Sequence, residues 1–389
     1  MGRLKIALIS PGSFIIPSER SSSVEQVMKA LADQIGLYTD CTIYGIREGG
    51  LRTVEHQGPV RYLRPSGRKG YVAGVIRSLG REGYDLISVD NRPRTARRVK
   101  QAFPGARVWL TLHSLTFVSG KHIGRKELAR CFSCVEHIIV NSRFLQEEIT
   151  RLVPEAGAKI RVIYPGVDTE RFFSRWSGEG ERLRTEQLQQ LGYPNKKIIL
   201  YVGRLVEYKG VHHLLHAMQQ IAQAMPDTVL VVVGGAFYGS KRTTAYVRRL
   251  HQLGRRLPRH VLFVPYVPHK DVPQWFRLAD VAVVPSPRRE AFGLVNVEAM
   301  ATGVPVIAAE AGGMKEIVVQ NETGLLIPVD ALTAGIVGGV SRLLADPSVQ
   351  RRMGEAAGVR VREQFTWEQA ARTWLELAQP LSTMPLPMF

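Results

Sequence analysis

Short runs of valine, isoleucine and leucine alternate along the chain with segments in which apolar side chains return every three or four positions. In the first half the apolar runs fall at residues 4–9, 42–45, 86–89, 108–112, 138–140 and 162–164. In the second they fall at 198–202, 229–233, 261–264, 281–284, 304–308 and 324–327. Many of them lack the in-out alternation of a half-exposed strand, which predicts parallel strands covered on both faces. Helical spacing is clearest at residues 24–35, 143–152 and 211–225. Strands and helices in this alternation predict a doubly wound α/β architecture.

The alternation breaks once, over residues 174–196, where polar side chains dominate before Lys197 opens a new strand. The chain's 389 residues suffice for two α/β domains with full cores. The expected organisation is therefore a first domain at 1–173, a linker at 174–196, a second domain at 197–365, and a last helix with a proline-rich tail at 366–389. Thr366 is the expected N-cap of that last helix.

Two segments of the second half carry chemistry. Residues 198–210 read as strand, glycine turn and two cations, Arg204 and Lys209, ahead of the helical pattern. That is the order of a phosphate-binding strand–loop–helix. The planar fork of Arg204 and the compact charge of Lys209 suit two phosphates. Residues 281–301 read as strand, loop and helix, with Glu290 in the loop and Glu298 two turns beyond. Phe292, Gly293 and Leu294 open that helix, so its free amides and positive dipole end point at the loop. One acid for sugar hydroxyls, an amide cradle for a diphosphate and a second acid for a ribose edge describe a nucleotide-sugar site.

Gly203-Arg204 with Lys209-Gly210, Glu290 and Glu298, Gly303-Val304-Pro305-Val306-Ile307 and Ala311-Gly312-Gly313 together resemble the donor half of the retaining glycosyltransferases of family 4. The resemblance extends less strongly over the first half, where it is loosest but closest to members of spore-coat or surface-polysaccharide synthesis. It implies the GT-B fold, two Rossmann-like domains facing across a cleft, with the acceptor on the first and the donor on the second. It implies a hexosyl transfer from a nucleoside diphosphate sugar, UDP being the commonest carrier, to a carbohydrate or lipid-linked acceptor, without a metal ion or other cofactor. Carried over residue by residue, Arg204 and Lys209 neutralise the leaving diphosphate, Glu290 holds the sugar and Glu298 the ribose. The amides of Phe292–Leu294 face the diphosphate, and Val267 lies beside the base. In the first half His113, at the end of the strand 108–112, corresponds to the family histidine between donor and acceptor. Serines at 21–23 stand where glycines are common, which leaves Gly12 as the glycine near the donor phosphates.

Composition refines this picture. Hydrophobic residues make up 45% and charged residues 22% of the chain, ordinary for a soluble globular protein. No apolar run approaches the ~20 residues of a membrane span, and the first strand follows the start directly, so a cytoplasmic protein is expected. Cys131 and Cys134 form a Cys-x-x-Cys without a second ligand pair, which fits reduced thiols better than zinc. The formal net charge is +18, and residues 61–107 hold twelve cations against three acids, a net of +9. Tyr71, Val72, Val75, Ile76 and Leu79 recur at helical spacing inside that stretch, so an anionic membrane surface is a candidate partner for residues 61–107. A nucleic acid is not supported, since no aromatic platform or binding module accompanies the charge. Two other readings stay open. One is an epimerase or hydrolase of nucleotide sugars on the same fold. The other is a non-catalytic protein that binds a membrane or polymer through its basic face.

Overall fold

The computed structural model describes residues 3–19, 22–48, 50–239, 242–288 and 290–379. The chain divides into two compact units, Met1–Pro165 with Trp367–Phe389 (unit 1) and Gly166–Thr366 (unit 2). The proline-rich tail at 380–389 lies outside the described residues.

Unit 1 begins with β1 (Lys5–Ile9), α1 (Ser23–Ile35), β2 (Asp40–Tyr44), β3 (Val54–Gln57) and β4 (Val60–Leu63). It continues through α2 (Tyr71–Glu82), β5 (Leu86–Asp90), α3 (Pro93–Ala102), β6 (Arg107–Leu112), α4 (Arg125–Ser133), β7 (His137–Val140), α5 (Arg143–Leu152) and β8 (Ile160–Val162). The eight strands lie in the order β3-β4-β2-β1-β5-β6-β7-β8. All neighbours are parallel except β3 and β4, which form an antiparallel hairpin at the edge. That hairpin was not expected: Val54-Glu55-His56-Gln57 is polar and largely exposed, so it carries no apolar run.

Unit 2 holds α6 (Gly178–Gln190), β9 (Lys197–Val202), α7 (Val211–Ala224), β10 (Thr228–Val233), α8 (Ala245–Arg255), β11 (Val261–Val264) and α9 (Val272–Leu278). After these come β12 (Val281–Val284), α10 (Leu294–Ala301), β13 (Val306–Ala309), α11 (Met314–Ile317), β14 (Gly324–Ile327), α12 (Leu332–Ala345) and α13 (Pro347–Gln364). Its sheet is six parallel strands in the order β11-β10-β9-β12-β13-β14. β10 is buried at every position, as its unbroken Val/Leu content requires.

Residues 174–196 differ from the expected linker, because they belong to unit 2 and contain α6. The Ser177 hydroxyl accepts from the Gly180 amide to cap that helix, and Leu188 is buried. The segment is tied down by charge: buried Asp280 accepts from Arg175 at 3.0 Å, and Arg184 Nη2 donates to both of its carboxylate oxygens at 2.9 Å. Trp176 Nε1 donates to the Gly303 carbonyl at 2.8 Å. A polar helix anchored by a few long-range contacts has almost no apolar stripe to read.

The last helix, α14 (Trp367–Ala378), starts immediately after Thr366 and belongs to unit 1. Ala370, Ala371, Trp374, Leu375 and Ala378 are buried there, in one core with Met28, Ala32 and Ile35 of α1. The Trp374 ring centroid lies 4.9 Å from that of Trp109 on β6. The two points at which the chain passes between units are neighbours within unit 2. The Val167 amide donates to the Phe365 carbonyl at 2.9 Å, and Val167 bridges Thr366. Among the described residues no helix is long and apolar enough to cross a membrane.

Candidate active site

The strand order of unit 2 reverses between β9 and β12: the chain runs outward through β10 and β11, then returns to the other side of β9. In open parallel sheets the crevice beyond the carboxyl ends of two such strands is the ordinary ligand position. The β9 loop (203–209) and the β12 loop (285–293) both start there.

These two loops touch through Gly210. Its φ is +72°, and a Cβ on it would lie 2.0 Å from the Pro285 carbonyl oxygen, so only glycine fits. The close approach brings Lys209 Nζ onto Glu290 Oε2 as an ion pair with side chains 21% and 16% exposed. From the far side the Gly313 amide donates to the Glu290 carbonyl at 3.0 Å, and a Cβ on Gly312 would meet that carbonyl oxygen at 2.0 Å. Gly293, with φ +107°, turns the chain into α10. Leu294 is the first helical residue, and the buried Phe292 ring stands 5.8 Å from Phe365.

Arg204 has no acidic partner among the described residues. Its guanidinium bonds the Tyr208 hydroxyl and lies 5.6 Å and 5.7 Å from the Tyr208 and Tyr238 ring centroids. A planar cation against two aromatic faces is held without being neutralised. Tyr201 fixes the backbone beneath it by donating to the Arg204 carbonyl at 2.9 Å. Glu298 lies one helix turn further along α10, nearly buried, and its Oε1 accepts from His269 Nε2 at 2.8 Å. His269 was not singled out from the sequence, although it stands five residues beyond the end of β11, where an open α/β sheet places ligand residues. Val267 is in the same loop. Thus Arg204, Lys209, Val267, Glu290, Phe292, Gly293, Leu294 and Glu298 all belong to unit 2, and Lys209 is in direct contact with Glu290. His113 and Gly12 belong to unit 1. Among the described residues no group of three or more His, Cys, Asp or Glu side chains is arranged to hold a metal ion.

In unit 1 His113 follows the end of β6, and its Nε2 is 2.8 Å from Asp90 Oδ2 at the end of β5. The parallel register that sets Asp90 opposite Thr111 creates this contact across 23 residues of sequence. Asp90 is buried, which pushes its carboxyl pKa up, and the bond to His113 opposes the shift. The His113 amide donates to Asn91 Oδ1 and its carbonyl accepts from Asn141 Nδ2, so backbone and ring are both fixed. His113, Asp90, Ser88, Thr111 and Asn141 form the polar end of a small cavity of about 40 Å³, whose other walls include apolar residues of β1, α1, β7 and α14.

Gly12 also lies beyond a strand end, with φ +72°, but its space is filled by Tyr71: a Cβ there would come within 2.7 Å of the ring. Of the serines that replace the expected glycines, Ser22 caps α1. Its oxygen accepts from the Val24 amide and its hydroxyl donates to Glu25, a capping-box pair. Its hydroxyl is therefore committed to the helix end rather than spare for a phosphate. Glu25 is 1% exposed, its Oε1 has no hydrogen-bond partner, and burial raises its pKa. The thiols are free; burial pushes Cys131 up to about 11, and Cys134 Sγ donates to the Arg130 carbonyl.

The basic stretch 61–107 is more compensated than its sequence suggests. Arg61, Arg64, Arg68, Arg94 and Arg107 pair with Glu82, Glu55, Glu48, Glu127 and Glu136. Arg92 lies over the Phe117 ring at 3.7 Å and donates to Ser13 Oγ. The apolar face of α2 is core, with Tyr71, Val75 and Leu79 buried, so it does not present that face to a membrane. Lys69, Arg77, Arg81 and Arg98 stay exposed.

Comparison with known proteins agrees with this geometry. Residues 184–360 match the family described as glycosyl transferases group 1, and residues 26–171 match glycosyltransferase family 4. Spore coat protein SA of Bacillus subtilis is 31% identical over 374 residues, covering 96% of this chain and 99% of that protein. Sucrose-phosphate synthase of Thermosynechococcus elongatus superposes with a TM-score of 0.78 at 26% identity over 96% of this chain and 98% of its own. The Anabaena protein HepE, solved with UDP and glucose, superposes with a TM-score of 0.75 at 25% identity over 96% of this chain and 99% of its own. The two α/β units are those of the GT-B fold, and the chain belongs to the group 1 and family 4 glycosyltransferases.

Proposed function

We propose that the enzyme moves a sugar from a nucleoside diphosphate sugar, with UDP as the carrier, to the hydroxyl of a carbohydrate or lipid-linked acceptor, with retention and without a metal ion. The observation that carries this reading is the Lys209–Glu290 pair at the β9/β12 reversal, beside the start of α10 and the nearly buried Glu298. The UDP assignment is supported by HepE, the similar protein solved with UDP and glucose.

In this mechanism the bond between the anomeric carbon and the leaving phosphate oxygen breaks as the bond to the acceptor oxygen forms on the same face. The acceptor's proton passes to the departing phosphate, so no protein carboxylate need act as nucleophile. Arg204 and Lys209 take up the charge that develops on the diphosphate, aided by the amides at Phe292–Leu294. Preorganised cations serve where other transferases use an ion. Glu290 accepts from the sugar hydroxyls and fixes the anomeric carbon, and Glu298 accepts from the ribose. Unit 1 receives the acceptor, with His113, held by Asp90, Asn91 and Asn141, as the residue assigned to the acceptor hydroxyl. The exposed cations Lys69, Arg77, Arg81 and Arg98 suit an anionic acceptor or membrane surface, a contact that weakens as salt rises.

The test is nucleotide release from a panel of UDP-, GDP-, ADP- and TDP-sugars in the presence of chelator, with Glu298→Ala as control. Release from a UDP-sugar that survives chelation and is lost in the control is the expected result. NMR of the product then reports the anomeric configuration, and an inverted product would overturn the single-face mechanism. Release that needs no acceptor and yields free sugar would turn the reading to a hydrolase.

A further inference from the structure

Glu298 starts from a rigid base. It lies inside α10, and its carbonyl accepts from the Thr302 hydroxyl at 2.7 Å. Its carboxylate is anchored from outside the helix by His269, whose Nε2 donates to Oε1 at 2.8 Å. His269 opens a short 3₁₀ turn (His269–Asp271) ahead of α9. His269 is itself held at ring and backbone: its ring stands 5.7 Å from the buried Phe172 ring, and its carbonyl accepts from Arg171 Nη2 at 3.1 Å. The other carboxylate oxygen, Oε2, accepts no hydrogen bond among the described residues. A long side chain free to rotate is a poor partner for a vicinal diol; one held at a single oxygen presents the other in a fixed direction.

We propose that His269 is the positioning residue that makes this site prefer a ribonucleotide over a deoxynucleotide. It orients Glu298 so that both ribose hydroxyls donate to one prearranged carboxylate, and it touches neither the ribose nor the diphosphate. The loop between β11 and α9 then acts on nucleotide binding twice, through Val267 at the base and, by way of Glu298, through His269. This inference rests on the nucleotide-sugar reading above.

The test uses the full chain and calorimetric titration with UDP and with 2′,3′-dideoxy-UDP. His269→Phe keeps a ring against Phe172 and removes the donor, whereas His269→Gln keeps a donor. Hydrogen bonds to a charged carboxylate give the wild type a preference for UDP of about tenfold or more. His269→Phe loses most of that preference, with dideoxy-UDP bound as before to within about twofold, and His269→Gln retains much of it. Equal weakening of both ligands in His269→Phe would reduce His269 to packing, and an unchanged preference would remove it from recognition; either overturns the proposal. A wild type that binds UDP without preferring it removes the ribose role of Glu298 and the proposal with it. A wild type that binds none of UDP, GDP, ADP or TDP fails the donor reading itself, a result visible before any variant is made.

Discussion

Replacing Lys209 by methionine keeps most of the side-chain volume and removes the charge, and the structure separates its two consequences. The pair with Glu290 is about four-fifths buried on both sides. Its loss falls between the ~0–1 kcal/mol of an exposed pair and the ~3–5 kcal/mol of a fully buried one, so about 1–2 kcal/mol is expected. For a unit of this size that lowers the melting temperature by roughly 2–8 °C. The catalytic effect is larger. A preorganised group facing developing charge is commonly worth ~3 kcal/mol, or about 10²-fold in turnover. The double variant Lys209→Met/Glu290→Gln distinguishes the two. With both charges gone the melting temperature recovers, because no lone carboxylate is left behind, but turnover does not. Melting followed by circular dichroism and initial rates of nucleotide release at saturating donor measure both. Turnover within about threefold of wild type in the single variant, or its recovery in the double variant, would refute the reasoning and make Lys209 a structural counter-ion.

Gly210→Ala adds a methyl group 2.0 Å from the Pro285 oxygen at φ +72°. It should cost ~1–2 kcal/mol in backbone strain alone and sharply reduce nucleotide release while the circular dichroism spectrum stays native. Trp374→Ala empties a core site against Trp109 and should destabilise unit 1 by ~3–5 kcal/mol; calorimetry should show that loss while nucleotide binding to unit 2 survives. Glu25→Gln tests the buried acid. Its folded-state pKa is raised, so wild-type unit 1 gains from the protonated form at low pH and loses that gain as pH rises above the ordinary glutamate range. The variant should therefore melt higher than wild type at pH 7 and no higher near pH 4; an advantage that grew on acidification would contradict the assignment.

Most of the fold was legible because parallel strands sandwiched between helices are written as unbroken apolar runs. The runs at 261–264, 281–284 and 324–327 coincide with β11, β12 and β14. β3 and α6 were not legible, since both are polar elements held by a few partners far away in sequence. The donor loops could be read from residue type and spacing, because Arg204, Lys209, Glu290 and Glu298 each lie within a local strand–loop–helix. What stayed hidden were contacts between segments far apart in sequence: Asp90 beneath His113, His269 on Glu298, Tyr238 against Arg204. None is adjacent in sequence, and the first is created by the parallel register that sets Asp90 opposite Thr111. The charge of residues 61–107 was visible while its neutralisation was not, because four of the five acids that pair with it lie outside that stretch.

The placement of α14 has a consequence for how the chain is made. Unit 2 is an insertion: Val167, next to its first residue, bridges its last, Thr366, so its two ends emerge side by side. All of its strands and helices precede residue 367. Unit 1 carries the first strand, yet its core stays open until Trp374 arrives. On a ribosome extending from the N-terminus, the later half of the polypeptide can therefore reach its native state before the earlier half can close. Until then the apolar face that α1 shares with α14 stands uncovered, and it is there that a chaperone would be expected to bind.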